Sequence, residues 1–191
     1  MDRKVILYIA VSLDGFIADK DGSVDWLSGE ENDTPSDSSS VSQENNSYEE
    51  LLKDIDTIIM GMTTYKQVVT ELSPDIWPYQ GMKSYILTSK PEQDKEDIIF
   101  VNTNVTDLIK QLKEQEGKDI WIVGGANVAN QLIKDNMIDE YQITTIPIIL
   151  GQGIRLFEQD NKTIFLQLDS VKQYDDMVLS IYSRKINRKN E

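Results

Sequence analysis

The stretch Ile120-Trp121-Ile122-Val123-Gly124-Gly125-Ala126-Asn127 carries the clearest chemical pattern of the chain. An apolar, β-branched run stops at two adjacent glycines. A helical pattern follows at once, with Val128, Leu132 and Ile133 apolar and Asn130, Gln131 and Lys134 polar. This spacing predicts strand, tight turn and helix. The first N–H groups of such a helix have no partner within it, and the helix dipole adds partial positive charge at the same place. Two residues without Cβ let a ligand approach the backbone closely. A phosphate or pyrophosphate is the usual guest. The pattern is shorter than the full GxGxxG fingerprint, and a plain tight turn uses the same residues.

The residue inventory narrows the remaining chemistry. Cysteine and histidine are both absent, which excludes disulfides, thiolate chemistry, His-based triads and metal sites built on His or Cys; no metal is expected. Acid–base work falls to Asp, Glu, Tyr, Lys or a bound water. The formal net charge of −14 argues against nucleic acid and against an anionic membrane surface as partners. No apolar run approaches the roughly 20 residues of a spanning helix. The start, Met1-Asp2-Arg3-Lys4-Val5, leads into a short apolar run without a small-residue cleavage site. It reads as a buried first strand rather than a signal peptide, and the expected compartment is the cytoplasm.

With 191 residues, 39% of them hydrophobic, the chain is expected to form a single domain over 1–191. Residues 5–12 read as a strand buried on both faces, 16–18 as a short extended piece, and Asp14-Gly15 between them as a turn. Residues 28–47 are almost wholly Ser, Asn, Asp, Glu and Gln, and are expected to be a mobile loop. Helices are predicted at 48–53 (with Ser47 as N-cap and Glu50 completing a capping box), 63–69, 104–116 and 126–135. Strands are predicted at 57–60, 84–88, 98–101, 120–123 and 140–146, with a terminal hairpin at 163–174 and 177–185. Strands alternating with helices give an α/β fold, mostly parallel with an antiparallel edge. Trp121 reads as core, whereas Trp77 sits in a loop able to cover a ligand. Gly151 and Gly153 suggest a bend or bulge near a subunit contact.

Three further segments join the Gly-Gly turn: Ser12-Leu13-Asp14-Gly15-Phe16-Ile17-Ala18, Met60-Gly61-Met62-Thr63-Thr64-Tyr65, and Ile146-Pro147-Ile148-Ile149-Leu150-Gly151-Gln152-Gly153. In this order and spacing the chain resembles the dihydrofolate reductase-like superfamily, in its bacterial branch related to the reductase (C-terminal) domain of the bifunctional riboflavin biosynthesis protein. The resemblance runs from Val5 to about Lys185. It implies a mostly parallel central sheet of about eight strands with flanking helices and an antiparallel C-terminal edge hairpin. It also implies NADPH bound across the carboxyl ends of the strands. By position, Ala10 would offer backbone to the nicotinamide amide, and Ile17 and Ala18 would cover that ring. Gly61, Thr63 and Thr64 would hold the pyrophosphate. Thr88, Ser89 and Lys90 would surround the 2′-phosphate, and Gly124, Gly125, Asn127 and Val128 would complete the phosphate and ribose site. Thr144 and Trp26 fall on the substrate side.

This chain departs from the folate enzymes where they carry a basic residue after Gly61; here it is Met62, and Lys90 is the cation left for phosphate. Their substrate-binding carboxylate would fall in the Ser-rich loop, leaving Glu30, Glu31 and Asp33 as catalytic candidates by sequence distance alone, with Asp25 as another. The resemblance thus implies an NADPH-dependent reductase, a homodimer, that transfers hydride to a pterin or ribityl-pyrimidine-like heterocycle. The alternatives are a true dihydrofolate reductase and a nucleotide-binding module without turnover.

Overall fold

The computed structural model describes residues 3–28, 46–90, 92–159 and 161–185. Its centre is an eight-stranded sheet in the order β5-β4-β3-β6-β1-β7-β10-β9. In chain order the strands are β1 (Val5–Ser12), β3 (Ile55–Gly61), β4 (Lys83–Leu87), β5 (Ile98–Val101), β6 (Asp119–Gly124), β7 (Glu140–Ile146), β9 (Leu166–Tyr174) and β10 (Met177–Arg184). From β5 to β7 every pairing is parallel; β10 joins β7 antiparallel, and β9 closes the edge. Two short strands missing from that sheet, β2 (Phe16–Ala18) and β8 (Ile154–Arg155), pair with each other.

Among the described residues four α-helices flank the sheet: α1 (Ser47–Asp54), α2 (Met62–Gln67), α3 (Val105–Lys113) and α4 (Ala126–Lys134). α3 shows why the pattern is legible. Its N-cap Asn104 accepts the Thr106 N–H at 2.8 Å, worth about 1 kcal/mol. Val105, Leu108, Ile109 and Leu112 then form one buried stripe. With α4 this stripe packs on Leu7, Ile59, Ile120 and Ile122, while Ile58, Met60, Ile86 and Trp121 face α1 and Tyr65 on the other side.

Several local expectations are corrected. Ser47 is the first residue of α1, not its cap. Asn46 holds the N-cap position and makes no side-chain cap bond, so no capping box forms. Instead the Ser47 hydroxyl lies 3.1 Å from the Tyr8 hydroxyl. α2 is α-helical only to Gln67 and continues as a π-turn over Val68–Leu72. β1 is half-buried at Tyr8, Ile9 and Ala10 rather than buried throughout. β9 begins at Leu166, later than expected. Asn130, one of the polar residues of the α4 pattern, is 1% exposed. Its amide donates to the carbonyls of Ala126 and Leu156, both at 2.8 Å, and its oxygen accepts from Glu158 N–H and Asn161 Nδ2. A buried amide with every lone pair and proton used fixes the chain after β8 onto α4.

At the opposite end of the sheet Arg3 is 4% exposed. It pairs with Asp56, donates to the carbonyls of Leu112 and Lys118, and donates to Thr57 Oγ1. Among the described residues no helix is long and apolar enough to cross a membrane.

Candidate active site

A cleft of about 680 Å³ opens at the carboxyl ends of β3, β4 and β6. Its floor is set by two strand–helix turns. At the first, Gly61 precedes α2; a Cβ there would meet Val128 Cγ2 at 3.4 Å. At the second, Gly124 has φ +139°, a conformation that side chains rarely adopt, and the Gly124–Gly125 peptide is cis. A Cβ on Gly125 would lie 3.4 Å from Thr64 Oγ1, so the two turns meet. The backbone therefore runs close to the cleft at both turns, and the α4 N-terminus opens there.

The structure brings Ile17, Ala18, Gly61, Thr63, Thr64, Thr88, Ser89, Lys90, Gly125, Asn127 and Val128 together on the wall of this cleft. Ala10 and Gly124 do not line it. Ala10 sits in the β1–β7 ladder opposite Thr144, and Gly124 forms the turn beneath. Thr144 does not reach the cleft either; it pairs with Ala10 on one side and Leu179 on the other. Trp26 lies in a 3₁₀ turn over Asp25–Ser28, its indole N–H buried and without a partner among the described residues. Asp25 is exposed in the same turn, and its backbone N–H donates to Ser23 Oγ. Glu30, Glu31 and Asp33, like most of the Ser-rich loop, fall outside the described residues.

Sequence reasoning missed Lys66, Gln67, Thr103, Val105, Gln131 and Ile154, which also line the cleft. Helical spacing held the signal for three of them. Lys66 and Gln67 follow Thr63 at i+3 and i+4, and Gln131 follows Asn127 at i+4, where its amide donates to Asn127 Oδ1 at 2.6 Å. Gln67 also donates to the Gly22 carbonyl at 3.1 Å, which ties the 19–23 turn to α2. Among the described residues the lining holds two lysines and no carboxylate, in a chain with 33 Asp and Glu. Among the described residues no group of three or more acidic side chains is placed to hold a metal ion.

Beside β1, on the α1 side of the sheet, lies an aromatic cluster. Trp121 meets Tyr8, Tyr48 and Tyr79 edge to face, with centroids 5.4–5.9 Å apart, and its indole donates to the Tyr8 carbonyl. Trp77 packs on Tyr65 and Tyr79 and does not line the cleft. Burial, then neighbouring Tyr48, pushes the Tyr79 hydroxyl up to about 12, and burial also raises that of Tyr48. Both stay protonated at neutral pH.

An open α/β sheet with this strand order, an antiparallel final hairpin and a cleft over its carboxyl ends is a dihydrofolate reductase-like fold. A family model for the RibD C-terminal domain matches residues 3–180, and the chain belongs to that family. It is 39% identical to the uncharacterized protein YwjB of Bacillus subtilis over 96% of this chain and 99% of that one. A crystal structure of a putative riboflavin biosynthesis protein from Shewanella sp. PV-4 superposes with a TM-score of 0.78 at 29% identity, covering 95% of this chain and 99% of that one. Enterococcus faecalis dihydrofolate reductase, complexed with NADP(H) and RAB-propyl, shares the fold at a TM-score of 0.66 and 17% identity, covering 97% and 98%.

Proposed function

We propose that the protein is an NADPH-dependent oxidoreductase that reduces a small heterocycle of pterin or ribityl-pyrimidine type. The observation that carries this reading is the composition of the 680 Å³ cleft: among the described residues its lining holds two lysines, a row of hydroxyls and no carboxylate, in a chain of net charge −14. A cleft so free of acidic groups in so acidic a protein suits an anionic guest. The cradle fits a dinucleotide. Gly61 and Gly125 leave space that a Cβ would occupy, and Thr63, Thr64, Thr88 and Ser89 supply hydroxyl donors. Leu87, Val105 and Val128 supply apolar surface for rings.

NADPH, when bound, supplies the hydride. The chain's own residues would hold it: the α4 N-terminus and the Thr63–Thr64 hydroxyls at the pyrophosphate, Lys90 and Lys66 at further phosphate charge, Ile17 and Ala18 over the opposite wall. Fixing cofactor and substrate face to face is the protein's part in such a reaction. Beside β1, Tyr8 and Tyr48 offer flat, partly exposed aromatic surface.

The test is NADPH oxidation followed against dihydrofolate, pterins and ribityl-aminopyrimidines. Turnover with one class identifies the substrate side. Tight NADPH binding with no turnover across the panel would instead favour a nucleotide-binding module.

We also propose a homodimer. Ile143 and Thr145 of β7, Val178 and Tyr182 of β10, and Leu168 and Val171 of β9 share one sheet face by register. Leu168, Val171 and nearby Phe157 are each about half exposed. A second copy covers such a face most simply. Sedimentation equilibrium should give twice the 21.8 kDa chain mass, little changed by salt; a monomer throughout the micromolar range would contradict the dimer.

A further inference from the structure

We propose that Asp14 is a positioning residue. Its carboxylate fastens the 147–153 segment to the β1–β2 turn and thereby holds Phe16–Ala18, a wall of the cleft, in place.

Asp14 closes more than its own turn. Its Oδ1 accepts the Ser12 hydroxyl at 2.7 Å and the Leu150 N–H at 3.1 Å, and its Oδ2 accepts the Gly151 N–H at 2.8 Å. Ser12, 1% exposed, in turn accepts the Phe16 N–H on its hydroxyl at 2.9 Å. One carboxylate therefore links the β1–β2 turn to residues 150 and 151. Hydrogen bonds to an ionised acceptor are about twice as strong as neutral ones. The Ser12 hydroxyl first, then the Gly151 and Leu150 amides, hold the Asp14 carboxyl below its usual range against some desolvation.

What this junction steadies is a thin wall. β2 has three residues and β8 two, and they pair only at Phe16–Arg155 and Ala18–Ile154. So short a ribbon is not stable by itself. Its remaining ties radiate from the same place. Leu13 N–H donates to the Ile148 carbonyl at 2.8 Å, Leu156 N–H to the Gly15 carbonyl at 3.0 Å, and the Arg155 guanidinium covers the Phe16 ring at 4.5 Å. Gly153 allows the contact: a Cβ there would stand 2.2 Å from the Ala18 carbonyl oxygen. Ile17, Ala18 and Ile154 all face the cleft. Moving the 147–153 segment must therefore move the cleft wall.

Asp14→Asn presents an amide N–H₂ to one of the two backbone donors, and Asp14→Ala removes both acceptors. Amide hydrogen exchange of the free protein reads the junction without any ligand. Exchange at Phe16, Ile17, Ala18, Leu150 and Gly151 is expected to rise about tenfold or more in both variants, the scale of a lost charge-assisted bond. Ile58 and Ile122 in the sheet centre are expected to keep their rates. A rise confined to Leu150 and Gly151 would reduce Asp14 to a turn residue, and a uniform rise including Ile58 and Ile122 would make it a global stabiliser; either overturns the proposal. The consequence for the cofactor rests on the reading above: NADPH affinity should fall about tenfold in both variants, while the melting midpoint falls by only about a few degrees. Unchanged affinity alongside loosened Phe16–Ala18 would show that the wall does not position the cofactor. If the unaltered protein bound no NADPH, the cleft reading would fail, while the exchange pattern would still decide the role of Asp14.

Discussion

Thr64 Oγ1 lies 3.4 Å from the point where a Cβ on Gly125 would stand, so the helices that follow β3 and β6 begin against each other across the cleft floor. The two turns act as one cradle, although Gly125 follows Thr64 by 61 positions in the chain. Gly125 has a negative φ, outside the left-handed region, and a Cβ there would meet nothing closer than Thr64 Oγ1 at 3.4 Å. Gly125→Val is therefore expected to fold normally while its methyls occupy the phosphate space. Calorimetry should show NADPH affinity reduced at least about tenfold. Unaltered affinity in the folded variant would remove this turn from the nucleotide site.

Lys90 stands just beyond β4, in a turn held by its own N–H to Thr88 Oγ1 at 3.1 Å. Lys90→Glu is expected to weaken NADPH by about 1–3 kcal/mol and to leave NADH nearly unchanged. Equal losses for both cofactors would show that Lys90 does not read the extra phosphate. The parallel variant Lys66→Glu, tested with both cofactors, shows which of the two lysines does so.

The Arg3–Asp56 pair gives a prediction independent of the cleft. Burial raises the Asp56 carboxyl, but the Lys118 N–H, the Thr57 hydroxyl and Arg3 together outweigh it and hold the group below its usual range. A carboxyl depressed in the folded state adds stability above its unfolded pKa of about 3.9, and that stability is lost as pH falls through the folded value. Asp56→Asn should lower stability at neutral pH by about 1–3 kcal/mol, less than for a fully buried pair because Asp56 is partly solvated. In urea titrations the gap between the two proteins should narrow below about pH 4. A gap constant from neutral to acid would show that the Asp56 charge does not matter.

The sheet and its helices were legible because they rest on local periodicity. The apolar runs at β1, β3 and β6 and the stripe of α3 announce themselves within one window. The glycine turns and the residues beside them likewise mark the cleft floor. What escaped depends on partners distant in the chain. β8 has two residues, too few to show any period. Asp14 reads as a turn residue because its acceptor role needs Gly151, 137 residues away. Asn130 reads only as one of the polar residues of the α4 pattern because the carbonyl it serves belongs to Leu156, whose path no local pattern fixes. Lys66 lies within helical spacing of Thr63, one residue beyond the end of the Met60–Tyr65 motif.

The central claim is that the cleft over the carboxyl ends of β3, β4 and β6 is a dinucleotide site, and titrating the unaltered protein with NADPH in a calorimeter tests it most directly. The account predicts saturable binding of one NADPH per chain, with Gly125→Val under the same conditions showing greatly reduced heat. Absence of saturable binding by a folded protein would contradict the account.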